Sequence, residues 1–137
     1  MIVNVLLGIA AATVVWFIAA AVLFFNPIVD KIYRSEESHP SVRVLPQSPV
    51  TIAKILGAVV VQCVAWAGVY VVVEPALGES FVSQAGLFGT LIVLVKIMPR
   101  DLDRLLLTTY PPKRLTIEIV VGIVCAYLVG GAFAWLI

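Results

Sequence analysis

The stretch Lys96–Arg114, KIMPRDLDRLLLTTYPPKR, decides how this chain is read, because it separates two long apolar runs and is itself basic. It carries Lys96, Arg100, Arg104, Lys113 and Arg114, five of the nine basic side chains. The other four, Lys31, Arg34, Arg43 and Lys54, lie in or beside a second connector, between the first and second apolar runs. The chain start, the short link from Glu74 to Ser80 and the chain end carry none. Basic connectors stay on the cytoplasmic side of a bilayer. The alternation therefore predicts an all-α, polytopic membrane protein with four spans, both termini on the non-cytoplasmic side.

Outward from that stretch, the apolar runs cover residues 2–25, 51–73, 81–98 and 115–137. Each has the length of about 17–25 residues that crosses a bilayer. Residues 26–50 and 99–114 are then the cytoplasmic loops. The chain is 62% hydrophobic and 12% charged, whereas a soluble domain needs about a quarter charged residues to cover its surface. The spans use up most of the 137 residues, so 1–137 is expected to be a single transmembrane domain. The first run is expected to be a retained span. No basic residue precedes it, and it exceeds the roughly 7–15-residue core of a cleavable leader.

Prolines punctuate the connectors. Asn26-Pro27 closes the first span, and Ser48-Pro49 offers an N-cap and first-turn proline for the second. Glu74-Pro75 and Gly78 form a tight turn, which predicts spans two and three as antiparallel neighbours. Pro99 is expected to end the third span. After it, Leu102, Leu105 and Leu106 recur at helical spacing, with Asp101 and Asp103 in the first turn. That pattern predicts a short interfacial helix, stopped by Pro111-Pro112, before the last span.

Lipid is as apolar as leucine, so spans associate where small residues let backbones approach. The last span has such a strip, Gly122, Ala126, Gly130 and Ala134, at intervals of four. It packs either within the bundle or as the seam of a homo-oligomer. With all basic side chains on one face, such an oligomer must be parallel.

Four polar side chains are candidates for a site. Lys96 and Glu118 are expected near the cytoplasmic boundary at matching depth, where they can pair. Gln62 lies near mid-depth of span two, with Thr90 of span three as a possible companion, and Asn4, Ser83 and Gln84 could line an outward opening. The bland reading is interhelical hydrogen bonding and snorkelling; the sharper one is a polar route through the bundle. Cys63 and Cys125 form no CxxC pair and sit in apolar runs that suppress thiolate character, so both read as small buried hydrophobes. His39 stands alone in a polar loop. No catalytic residue, metal site, cofactor or nucleic-acid partner is expected.

Trp16 followed by Pro27, and Lys113-Arg114-Leu115 leading into a last span bearing Gly130 and Trp135, resemble a family of small four-span membrane proteins. That family is defined by a domain of unknown function, so the resemblance implies a fold and no activity. The leading expectation is a small accessory or oligomeric structural subunit, alone or beside a larger membrane-protein partner in the bilayer. A transporter or channel protomer using Gln62, Thr90, Lys96 and Glu118 is the alternative. A membrane-embedded enzyme acting on lipid or quinone comes third, because no mid-depth cluster of His, Asp or Glu is present to run its chemistry.

Overall fold

Pro27, Pro49 and Pro112 each open a helix, where a missing N–H costs nothing and a fixed φ is pre-set for the first turn. In the computed structural model, which describes residues 2–137, the elements are all helical. They are α1 (Ile2–Phe24), α2 (Pro27–Ser35), α3 (Pro49–Val73), α4 (Phe81–Ile92), α5 (Met98–Leu107) and α6 (Pro112–Leu136). Side chains of Asn26, Ser48 and Ser80 cap α2, α3 and α4 by accepting from the backbone N–H of Ile28, Thr51 and Ser83. Four helical stretches are long and apolar enough to cross a membrane, so the chain is a multi-pass membrane protein.

The last helix is the hub. α4 and α1 pack directly on α6, and α1 backs onto α3. The chain ends share one end of the bundle, where Gly8 of α1 meets Ile137. That end is called terminal below, and the opposite one basic. The tight turn after α3 does not make α3 and α4 close neighbours as the sequence predicts; their backbones scarcely approach. Large side chains occupy the space between them. The Phe88 ring stands edge-on to Trp66 (6.2 Å), Tyr70 (4.9 Å) and Phe133 (5.9 Å). Tyr70, Phe88 and Phe133 are all fully buried, too wide for two helices to close over. Such edge-to-face pairs contribute about 0.5–1.5 kcal/mol each beyond their contact area.

The small-residue strip of α6 forms the seam with α4 inside one chain. A Cβ on Gly130 would stand 2.7 Å from the Ala85 carbonyl oxygen and 3.0 Å from the Gly89 nitrogen. Gly122 faces Ile97, Ala126 is buried, and Ala134 packs at the edge of the core. Gly130 is thus committed to this intramolecular contact.

Pro99 does not end the third span. Its ring crowds the carbonyl four residues back and it has no N–H to donate. The helix accommodates both by widening into a π turn over Val93–Ile97, in which the Met98 N–H bonds the Val93 carbonyl. It then runs on to Leu107, so the spanning stretch is Phe81–Leu107 instead of 81–98. α5 is thus continuous with α4. Leu102, Leu105, Leu106 and Leu107 face outward, whereas Asp101 is turned in and buried.

Candidate functional site

The polar side chains inside the bundle gather into two centres at different depths. The deeper one is built on the π turn. An extra residue in that turn rotates the rest of the helix about its axis, and Lys96 lies within it, in contact with α1 and α3. Its ammonium donates to the Gln62 carbonyl oxygen and lies 3.8 Å from the centre of the Trp16 ring. The amide nitrogen of Gln62 donates back along its own helix to Ala58 (3.2 Å). Cys63 and Cys125 are both buried, with Cys125 Sγ 4.0 Å from the Trp16 carbonyl. Thr13, next to Cys63, returns its hydroxyl to the Ile9 carbonyl (2.8 Å).

This placement corrects the sequence reading. Gln62 lies about 20 Å along α3 from Pro49 at 1.5 Å per residue, close to its midpoint. Lys96 therefore sits deep in the bundle, away from the boundary where counting back from Pro99 would put it. Nor does it pair with Glu118. Among the described residues no carboxylate comes within ion-pair distance of Lys96, and the charged neighbour it feels is a second cation, Arg100. An indole face over a desolvated cation contributes about 2 kcal/mol, and one amide dipole adds to it. Both neutralise only part of a mid-span charge.

The shallower centre is a clasp at the basic end, organised by Glu118. One carboxylate oxygen accepts from the hydroxyls of Tyr33 (3.3 Å) and Tyr110, and the other from Arg104 Nη1 at 2.5 Å. Arg114, buried, donates to the Tyr33 carbonyl, lies 4.3 Å from its ring centre and stands 4.0 Å from Glu36. Arg100 holds the buried Asp101 through two bonds of 2.7 and 2.8 Å. Phe24 meets the Tyr33 ring edge-on at 5.6 Å, and Ser41 bonds Thr109 across the two connectors at 2.5 Å. The clasp thus ties α2, α5 and α6 together.

Charge at this end bears on the two phenols. Burial, then the Glu118 carboxylate beside it, raises the Tyr33 hydroxyl well above the usual phenol range. Burial and the bond to Glu118 push Tyr110 up to about 12. Both therefore remain donors to the carboxylate across the physiological range. Sequence reading missed Tyr33, Tyr110, Arg104 and Arg114 as members, because the groups they meet stand in other elements.

The remaining candidates go elsewhere. Thr90 donates to the Gly86 carbonyl (2.8 Å) and meets the Tyr127 hydroxyl (3.0 Å) on the α4–α6 seam, not Gln62. Ser83 donates to the Leu77 carbonyl (2.6 Å) and Gln84 to the Gly78 carbonyl (3.0 Å) while accepting from Tyr70 (3.1 Å). They close the terminal turn. Gly78 takes φ +87° to let this turn form. Among the described residues no three metal-ligating side chains converge. Two shallow grooves, of about 180 and 410 Å³, flank the basic end. One lies between Leu23, Val29 and Thr116, the other between Phe25, Pro46 and Ile55; Lys96 lines neither. No family model, characterised protein or solved structure matches this chain.

Proposed function

We propose that the protein is a small non-enzymatic subunit of a membrane assembly, inserted with its basic end in the cytoplasm and both termini outside. The observation carrying this reading is the filled interior. Tyr70, Phe88 and Phe133, all buried, occupy the terminal half. The four polar candidates are dispersed over two centres and a helix seam, so they do not line one path. A bundle closed this way supplies surfaces and a fixed orientation, not a conduit. The nine basic side chains, confined to or beside two connectors, support the orientation. They also favour a parallel arrangement of copies if the chain self-associates.

A second reading, a transport protomer, is favoured by one observation: a lysine deep in the bundle on a π turn, a feature common at functional sites. Two measurements separate the readings. Native mass measurement in mild detergent is expected to show the chain bound to a partner protein or to further copies. Purified protein in liposomes is expected to pass no ion or proton current. A flux lost in Glu118→Gln or Lys96→Met, with the fold retained, would replace the subunit reading with transport.

A further inference from the structure

Lys96 is a cation that the bundle holds but does not neutralise. Its hydrogen-bond and ring partners are neutral: an amide oxygen and an indole face. It is also not sealed in, being only partly buried between α3 and the α4–α5 helix, whose backbones scarcely approach. In the terminal half Trp66, Tyr70 and Phe88 fill that gap; in the basic half the Lys96–Gln62 contact crosses it. Leu94 and Val95 on one wall, and Val61 and Val64 on the other, face outward beside it. Ionisable groups at this depth pair with an opposite charge or face a watery cavity. Neither groove at the basic end is lined by Lys96.

The occupant can be narrowed by charge and by depth. A second copy of the chain has no carboxylate to offer. All eight acidic residues, Asp30, Glu36, Glu37, Glu74, Glu79, Asp101, Asp103 and Glu118, lie in connectors or toward helix ends, and Glu118 is already engaged in the clasp. Lipid phosphates and fatty-acid carboxylates sit at the bilayer surface, about 15 Å from the midplane of a core about 30 Å thick. A carboxylate carried part-way along a spanning helix reaches the lysine directly.

We propose that the cleft between α3 and α4 is a docking surface for a transmembrane helix of a partner protein that carries an Asp or Glu at mid-span, paired with Lys96. This rests on the subunit reading and names the chemistry of the partner. The cleft walls are aliphatic, so the partner helix needs one carboxylate and otherwise ordinary lipid-compatible side chains. Gln62 and Trp16 act as positioning residues that hold the ammonium between α1 and α3.

The test uses the whole protein in phosphatidylcholine vesicles with synthetic guest helices of about 20 leucine and alanine residues. Each guest carries a terminal dansyl group and Glu, Gln or Leu at its centre. Energy transfer from the protein's own tryptophans reads association. The central-Glu guest is expected to bind about tenfold more tightly than the Gln and Leu guests. Lys96→Met is expected to abolish that preference, and Lys96→Glu to transfer it to a guest with a central Lys. Circular dichroism on each variant shows whether the bundle is intact; if Lys96→Met does not fold, the Lys96→Glu swap decides. Equal binding of all guests, a Glu preference that survives Lys96→Met, or displacement of the Glu guest by oleate would overturn the proposal. Because this assay reads only the lysine cleft, its failure leaves the subunit reading standing, whereas a liposome flux with guest binding intact would defeat that reading alone.

Discussion

The terminal and basic halves of this bundle solve the same packing problem with opposite chemistry. At the terminal half, aromatic rings and a glycine seam fill space, and polar groups close the turn at Gly78 or bond along the seam. At the basic half, Glu118 gathers two phenols and an arginine, and an uncompensated lysine lies deeper in. The basic half keeps a charge whose presence stability does not explain, since a charged side chain at a helix centre costs about 2.5–3.5 kcal/mol on insertion.

Substitutions can break or sharpen the contrast, and the largest effect belongs to the seam. Gly130→Leu forces α4 and α6 apart, because even a Cβ has no room against Ala85 and Gly89. The expected outcome is loss of the folded bundle, seen as loss of the cooperative unfolding transition in mixed micelles. Folded protomers that merely dissociate would instead make the strip an interchain contact. Phe88→Ala comes next, with a cost of about 3–5 kcal/mol from the cavity it leaves, measured by the same unfolding titration. A small cost would mean that the terminal half is loosely filled and the contrast is overdrawn.

Lys96→Met should change stability in the other direction, by about 1–2 kcal/mol in favour of the fold, as a mid-span charge is removed. A destabilised variant would make the lysine a structural strut. Glu118→Gln is expected to cost about 1–2 kcal/mol, since it removes charge-assisted bonds at a partly exposed site. The smallest effect is alkaline. The Tyr110 hydroxyl is raised to about 12 from a usual value near 10. A raised phenol favours the fold while protonated, so its contribution is intact below about pH 10 and is lost as pH climbs through about 12. Phenolate absorbance followed alongside unfolding checks this. Ionisation of the clasp tyrosines at the ordinary phenol range would show that the basic end is open to water.

Much of the fold is legible in the residues because span length and proline punctuation are local properties. Pro27, Pro49 and Pro112 open helices where their neighbours place them. Pro99 is the instructive exception. Read locally it is a stop, yet the π turn absorbs it and the helix runs on to Leu107. That one adjustment accounts for the misplacement of Lys96, whose depth cannot be counted from a helix end that is not there. Glu118 shows the same limit: it is recognisable as a polar residue early in its span, but its partner Tyr33 comes from α2, 85 residues earlier.

The sequence by itself determined that four stretches must be helices long and apolar enough to cross a bilayer, since an unpaired backbone cannot persist in hydrocarbon. It also determined that the basic residues cluster in or beside two connectors. Only the tertiary structure decided which polar groups meet. Within an apolar span, periodicity marks no face as inner, so the pairing of Lys96 with Gln62 and Trp16, and of Glu118 with Arg104 and the two tyrosines, depends on how the helices rotate against one another. That rotation is set by close contacts such as Gly130 on Gly89, which no single segment specifies.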